Sequence, residues 1–83
     1  MWHYVYSLQT QGRQHWYVGV TNDINRRLYE HNNGLGTYTS KHLQESNLWE
    51  LQSCTMFKDR QKAEKFEKYL KSHTGRAFAK RFL

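Results

Sequence analysis

The stretch Tyr17-Val-Gly-Val-Thr-Asn-Asp-Ile-Asn-Arg-Arg-Leu-Tyr-Glu-His-Asn-Asn-Gly34 holds a strand, a helix and the punctuation for both. Its first residues complete a run from His15 to Val20 that is rich in aromatic and β-branched side chains, the composition of a strand. Thr21, Asn22 and Asp23 are side chains of the kind that cap a helix by accepting from a free backbone N–H. Good helix formers run from Ile24 to His31, and Asn33-Gly34 supplies a stop.

Working outward, Trp2 to Gln9 alternates Trp2, Tyr4, Tyr6 and Leu8 with a mixed set, which is a period-two strand. The polar Gln9–Gln14 segment with Gly12 reads as a hairpin loop, so the first two strands pair antiparallel. Downstream, Gly36 to His42 reads as a surface loop and Leu48 to Met56 as a third strand. A second helix opens at Lys58-Asp59-Arg60 and runs to about Ser72. Gly75 is expected to break it, with Arg76 to Leu83 forming a short terminal helix. The order β-β-α-β-α-α predicts an α+β fold, a small three-stranded antiparallel sheet flanked by about three helices. At 83 residues the expectation is one domain spanning 1–83.

A lone cysteine, Cys54, allows neither an internal disulfide nor a cysteine-based zinc site, and points to a reducing compartment. No apolar run approaches the roughly 20 residues of a membrane span, and the first residues lack a signal-peptide pattern. The expectation is a soluble, cytoplasmic protein. The net charge of +6 is uneven. Residues 1–57 are neutral overall, whereas residues 58–83 carry nine basic and three acidic side chains. That excess suits a nucleic-acid backbone and equally suits the solvated face of a lysine-rich helix.

The helices hold an anomaly. In the first, the apolar stripe Ile24 and Leu28 is completed by Arg27 and His31; in the second, Glu67 lies within the stripe Ala63, Phe66 and Leu70. A helix packed on a sheet ordinarily places apolar residues there. Bland roles exist for each, namely an Arg27–Asp23 pair, a helix-end histidine and a Glu67–Lys71 pair. Three inward groups of acid–base and metal-binding type together point instead to a polar cleft. Tyr6 and Tyr17, on adjacent strands, are placed to reach it.

On these residues the chain resembles the GIY-YIG nuclease family. Tyr4-Val5-Tyr6 and Tyr17-Val18-Gly19 match the two signature motifs, Arg27 and His31 follow on the next helix, and Ala63 to Lys71 resembles the helix of the family glutamate. The closer resemblance is to short stand-alone proteins similar to the nuclease subunit of excision repair. Tyr4 stands where the first motif has glycine, valines replace both isoleucines, and no asparagine follows Asn47.

The resemblance implies a divalent-metal-dependent endonuclease acting on nucleic acid, with DNA the expected substrate. It implies Tyr6, Tyr17, Arg27 and His31 as catalytic residues, Glu67 as ligand of Mg²⁺ or Mn²⁺, and Gly19 as the motif glycine. Either tyrosine is a candidate proton acceptor, with His31 as relay. Lys41, Lys71, Arg76 and Lys80 are the expected nucleic-acid contacts. The alternative is a binding module of the same fold with weak or no cleavage.

Overall fold

The computed structural model describes residues 1–12, 15–35, 39 and 48–83. Strands β1 (His3–Thr10), β2 (Trp16–Thr21) and β3 (Trp49–Phe57) form one sheet in the order β2-β1-β3, antiparallel throughout. The described helices are α1 (Ile24–Asn32), α2 (Arg60–Lys71) and α3 (His73–Phe82). The expected α+β fold is the fold observed.

The sequence puts β1 in the middle because both its faces are apolar. Val5 and Ser7 point to one side, Tyr6 and Leu8 to the other, and all four are buried. On the first side, Val5 and Val18 pack with Ala63 and Leu70 of α2 and Ala79 of α3. On the second, Tyr6, Leu8 and Trp49 pack with Tyr17 and with Ile24 and Leu28 of α1. The sheet thus separates two small cores.

Asp23 begins α1 by accepting from the Arg26 N–H at 3.1 Å. Asn33 ends it, and Gly34 follows at φ 76°, a left-handed geometry that favours glycine. Asn32, in the last turn, fastens the helix to the sheet. Its amide oxygen accepts from the Trp49 N–H at 2.8 Å, and its amide nitrogen donates to the Trp49 carbonyl at 3.0 Å. This fixes where β3 starts and seats the Trp49 ring in the second core.

Three expectations are corrected. Trp2 lies before the strand and is exposed, with the Lys58 ammonium 5.5 Å from its ring. Gly75 does not break the second helix. Ser72 does, by capping α3 through its hydroxyl to the Gly75 N–H at 3.1 Å, so α3 begins at His73 rather than Arg76. Gly75 lies inside the first turn because a Cβ there would collide with the Tyr69 carbonyl. Thr39, read as part of a surface loop, is 1% exposed because it is drawn down onto His31.

Asn32→Ala removes two partly buried hydrogen bonds, each contributing about 1 kcal/mol. The expected loss is about 2 kcal/mol, or on the order of 10 °C in thermal midpoint for a domain of this size. Thermal unfolding followed by circular dichroism measures it.

Candidate active site

The four aromatic and basic residues singled out on β1, β2 and α1 meet. Antiparallel pairing sets Tyr6 opposite Gly19, with Tyr17 two residues before it on the same face of β2. The Tyr6 and Tyr17 rings lie 6.2 Å apart, and the His31 ring is 5.8 Å from the first and 4.8 Å from the second. His31 comes down from the last turn of α1 and is 1% exposed. Arg27, one turn earlier, is half-buried, in polar contact with Tyr6 and Tyr17, and paired with Glu30 at 3.0 Å. The bland alternative, an Arg27–Asp23 pair, is not seen among the described residues: Arg27 pairs with Glu30, and the Asp23 carboxylate caps α1.

His31 is satisfied at both nitrogens. Its Nε2 lies 2.8 Å from the Tyr6 hydroxyl and its Nδ1 2.7 Å from the Thr39 hydroxyl. A buried imidazole with two partners avoids the penalty of an orphaned polar group. Burial, with the Arg27 charge as second cause, lowers its pKa to about 4, so the ring is neutral at physiological pH. Burial also pushes the Tyr6 phenol well above its ordinary value, and the neighbouring Tyr17 adds to this. Tyr6 therefore stays protonated.

Arg27 can only donate, so the Tyr6 oxygen accepts from it. The neutral imidazole carries one N–H, so one of its nitrogens donates and the other accepts. Either Tyr6 donates to Nε2 and Nδ1–H donates to Thr39, or Thr39 donates to Nδ1 and Nε2–H donates to Tyr6. Thr39 and Glu30 went unrecognised in the sequence. Glu30 carries the ordinary mark of an i,i+3 partner for Arg27, whereas Thr39 sits in a stretch without periodicity.

Gly19 has a specific job. A Cβ at that position would lie 2.6 Å from the Tyr6 hydroxyl oxygen and 2.8 Å from the carbon bearing it. The motif glycine makes room for the opposing phenol.

Glu67 does not join this group among the described contacts. It lies on α2, which packs on the Val5–Val18 side of the sheet, while both phenols emerge on the other. Its carboxylate accepts from Lys71 at 3.1 Å. Lys71, Arg76 and Lys80 are exposed on the same helical layer, across the sheet from the phenols. Lys41 lies outside the described residues. Among those residues, no group of three or more His, Cys, Asp or Glu side chains could hold a metal ion, and no helix is long and apolar enough to cross a membrane.

A family model of the GIY-YIG catalytic domain matches residues 2–81. The chain belongs to the GIY-YIG family. The solution NMR structure of the UPF0213 protein BH0048 from Bacillus halodurans is similar to this GIY-YIG domain at 28% identity and a TM-score of 0.55. The match covers 95% of this chain and 82% of that one. No curated protein matches. Membership places the domain among nuclease folds that act on nucleic acid.

Two outcomes are expected of the buried chain. The unfolded imidazole takes a proton near pH 6.5 and the folded one only near 4, so the unfolded state binds more protons between those values. The stability His31 contributes is complete above pH 6.5 and is lost as pH falls toward 4, by on the order of 2 kcal/mol at pH 5. Urea unfolding at pH 7.5 and 5.0 should show that loss in the wild type and a smaller one in His31→Gln. Separately, Gly19→Ala should displace the Tyr6 ring and cost about 1–3 kcal/mol, as overpacking in a rigid core does. A ¹H–¹⁵N spectrum of the His31 ring would show its Nε2 bond to Tyr6 lengthened or lost.

Proposed function

We propose that this GIY-YIG domain is a divalent-metal-dependent endonuclease hydrolysing phosphodiesters, with DNA as its substrate. The observation that carries this reading is the convergence of Tyr6, Tyr17, Arg27 and His31 on one face of the sheet. All four are joined by short or charged contacts that a purely structural helix would not build.

Each residue has work suited to its environment. Arg27 is permanently charged and half-buried, so its fork engages the phosphate and stabilises the negative charge that grows on it. Tyr17 accepts the proton of the attacking water as its phenolate, after its own proton has passed to the solvent that reaches this half-buried side chain beside Arg27. Tyr6 is unsuited to that step, because burial holds its own proton on. Tyr6 and neutral His31 act as the rigid support, keeping Arg27 and Tyr17 in register. The relay through His31 is thereby reduced to positioning.

Glu67 would hold the metal. A single carboxylate with partial solvent access suits Mg²⁺ or Mn²⁺, which keep most of their water, and leaving Lys71 costs only an exposed pair. Because Glu67 lies on the helical layer and the phenols on the opposite face, an ion held there would supply Lewis-acid stabilisation to a substrate that passes round the β2 edge, which both layers border. The binding-module alternative is favoured by one observation, the Glu67–Lys71 pair on the far helical layer.

Single-turnover cleavage of labelled single-stranded, duplex and branched DNA, with Mg²⁺, Mn²⁺ or EDTA, tests the proposal. Wild type should cleave with metal and stop with EDTA. Arg27→Ala should lose about 10²-fold or more in rate. Tyr17→Phe should be more damaging than Tyr6→Phe, and Glu67→Gln should abolish cleavage without weakening binding. Equal rates for wild type and Glu67→Gln would remove Glu67 from the metal role. DNA binding with no cleavage under any metal would leave the binding module.

A further inference from the structure

Beside the phenol cluster lies a second feature. An open cavity of about 460 Å³ sits where the ends of β1 and β2 meet α1 and the start of α2, lined by His3, Thr21, Arg26, Arg27, Glu30 and Arg60, among others. Three guanidiniums, from two helices far apart in sequence, face this space against one carboxylate. That is notable in the first 60 residues, since the segment 1–57 carries no net charge. The positive charge there is gathered by the fold rather than by the sequence.

The carboxylate is already committed. Glu30 is bonded to Arg27 at 3.0 Å. The other two arginines are held loosely. Arg26 reaches Asn22 at 3.4 Å, and Arg60 reaches Glu64 at 3.8 Å with both side chains largely in solvent. Exposed pairs of that length contribute little, so both forks are free to turn toward an anion entering the cavity. A planar fork with several N–H donors matches the oxygens of a phosphate, and two forks from different helices grip it from two directions.

Arg27 belongs to both places, lining the cavity and touching Tyr6 and Tyr17. We propose that the cavity between α1 and the start of α2 is a second phosphate subsite. In it, Arg26 and Arg60 hold the phosphate next in line to the one engaged by Arg27 and Tyr17. This rests on the reading of the phenol cluster as the cleavage site. The cavity volume is ample for one nucleotide unit, so the subsite reads backbone rather than base and fixes the strand's direction across the site.

The test uses the full chain and metal-free binding, so it does not depend on cleavage. The probes are inorganic phosphate, TpT with one phosphodiester, TpTpT with two, and 5′-phosphorylated pTpT. Binding is read from amide and arginine side-chain shifts in ¹H–¹⁵N spectra at low salt. TpTpT and pTpT should shift Val20 and Thr21 as well as Tyr17, and bind more tightly than TpT by roughly fivefold, the upper end for a solvent-facing charge contact. Arg60→Gln and Arg26→Gln alter exposed side chains, and melts will show that they fold; either should erase most of that advantage. A pTpT gain without a TpTpT gain would assign the subsite to a strand end, and the reverse to a continuous strand. If the advantage survives in both variants, or shifts avoid the cavity, the subsite is refuted even where Arg27 and Glu67 prove essential for cleavage. If the cavity binds as expected and no DNA is cut, the subsite stands and the nuclease reading falls.

Discussion

Everything near the phenols depends on burying an imidazole without charging it. His31 occupies a position on α1 that a helix packed on a sheet would give to leucine, and only two hydrogen bonds make it tolerable there. Those bonds fix three elements at once. The strand supplies the Tyr6 hydroxyl, the helix supplies the ring, and the connection after the helix supplies Thr39. The second core is small, with Tyr6, Leu8 and Trp49 as its fully buried members. A polar chain through such a core leaves little freedom for the side chains around it.

That rigidity separates two tyrosines that look equivalent in the motif. Both face the same side of the sheet, yet one lies on the central strand and the other on an edge strand. The central position closes solvent off from Tyr6 and leaves Tyr17 only half-buried. The division of labour proposed for them thus follows from strand order, before any contact with substrate. Arg27 gains in the same way. Its position one turn before His31 lets it touch the buried chain with one part of the guanidinium and the solvent-filled cavity with another.

Much of this was legible in the sequence, for physical reasons that differ by element. The strands were readable because alternation and aromatic content coincide in β1 and β2. Helix α1 was readable because Asp23 and Gly34 mark its two ends. The inward polar residues were readable as violations of the apolar stripe. The start of α3 was misread because glycine is the commoner helix breaker, whereas here a serine caps that helix and glycine solves a packing problem inside its first turn. Thr39 was hidden because its partner lies eight residues away in the sequence, and no hydrophobic period connects the two. The arginine cavity was invisible for a deeper reason. Arg26 and Arg60 become neighbours only once the sheet has brought the two helix starts together.

The fit between Gly19 and Tyr6 has a consequence for how such a domain can change over time. The phenol fills the volume that a side chain on the facing residue would need, so bulk at position 6 and its absence at position 19 are one inherited trait written at two places. Neither site can drift alone: enlarging the glycine evicts the ring, and shrinking the tyrosine leaves a void beside bare backbone. A lineage wishing to abandon the phenol must pass through a poorly packed intermediate or change both codons together. The two signature motifs are therefore tied to each other by steric necessity, independently of any chemistry they perform.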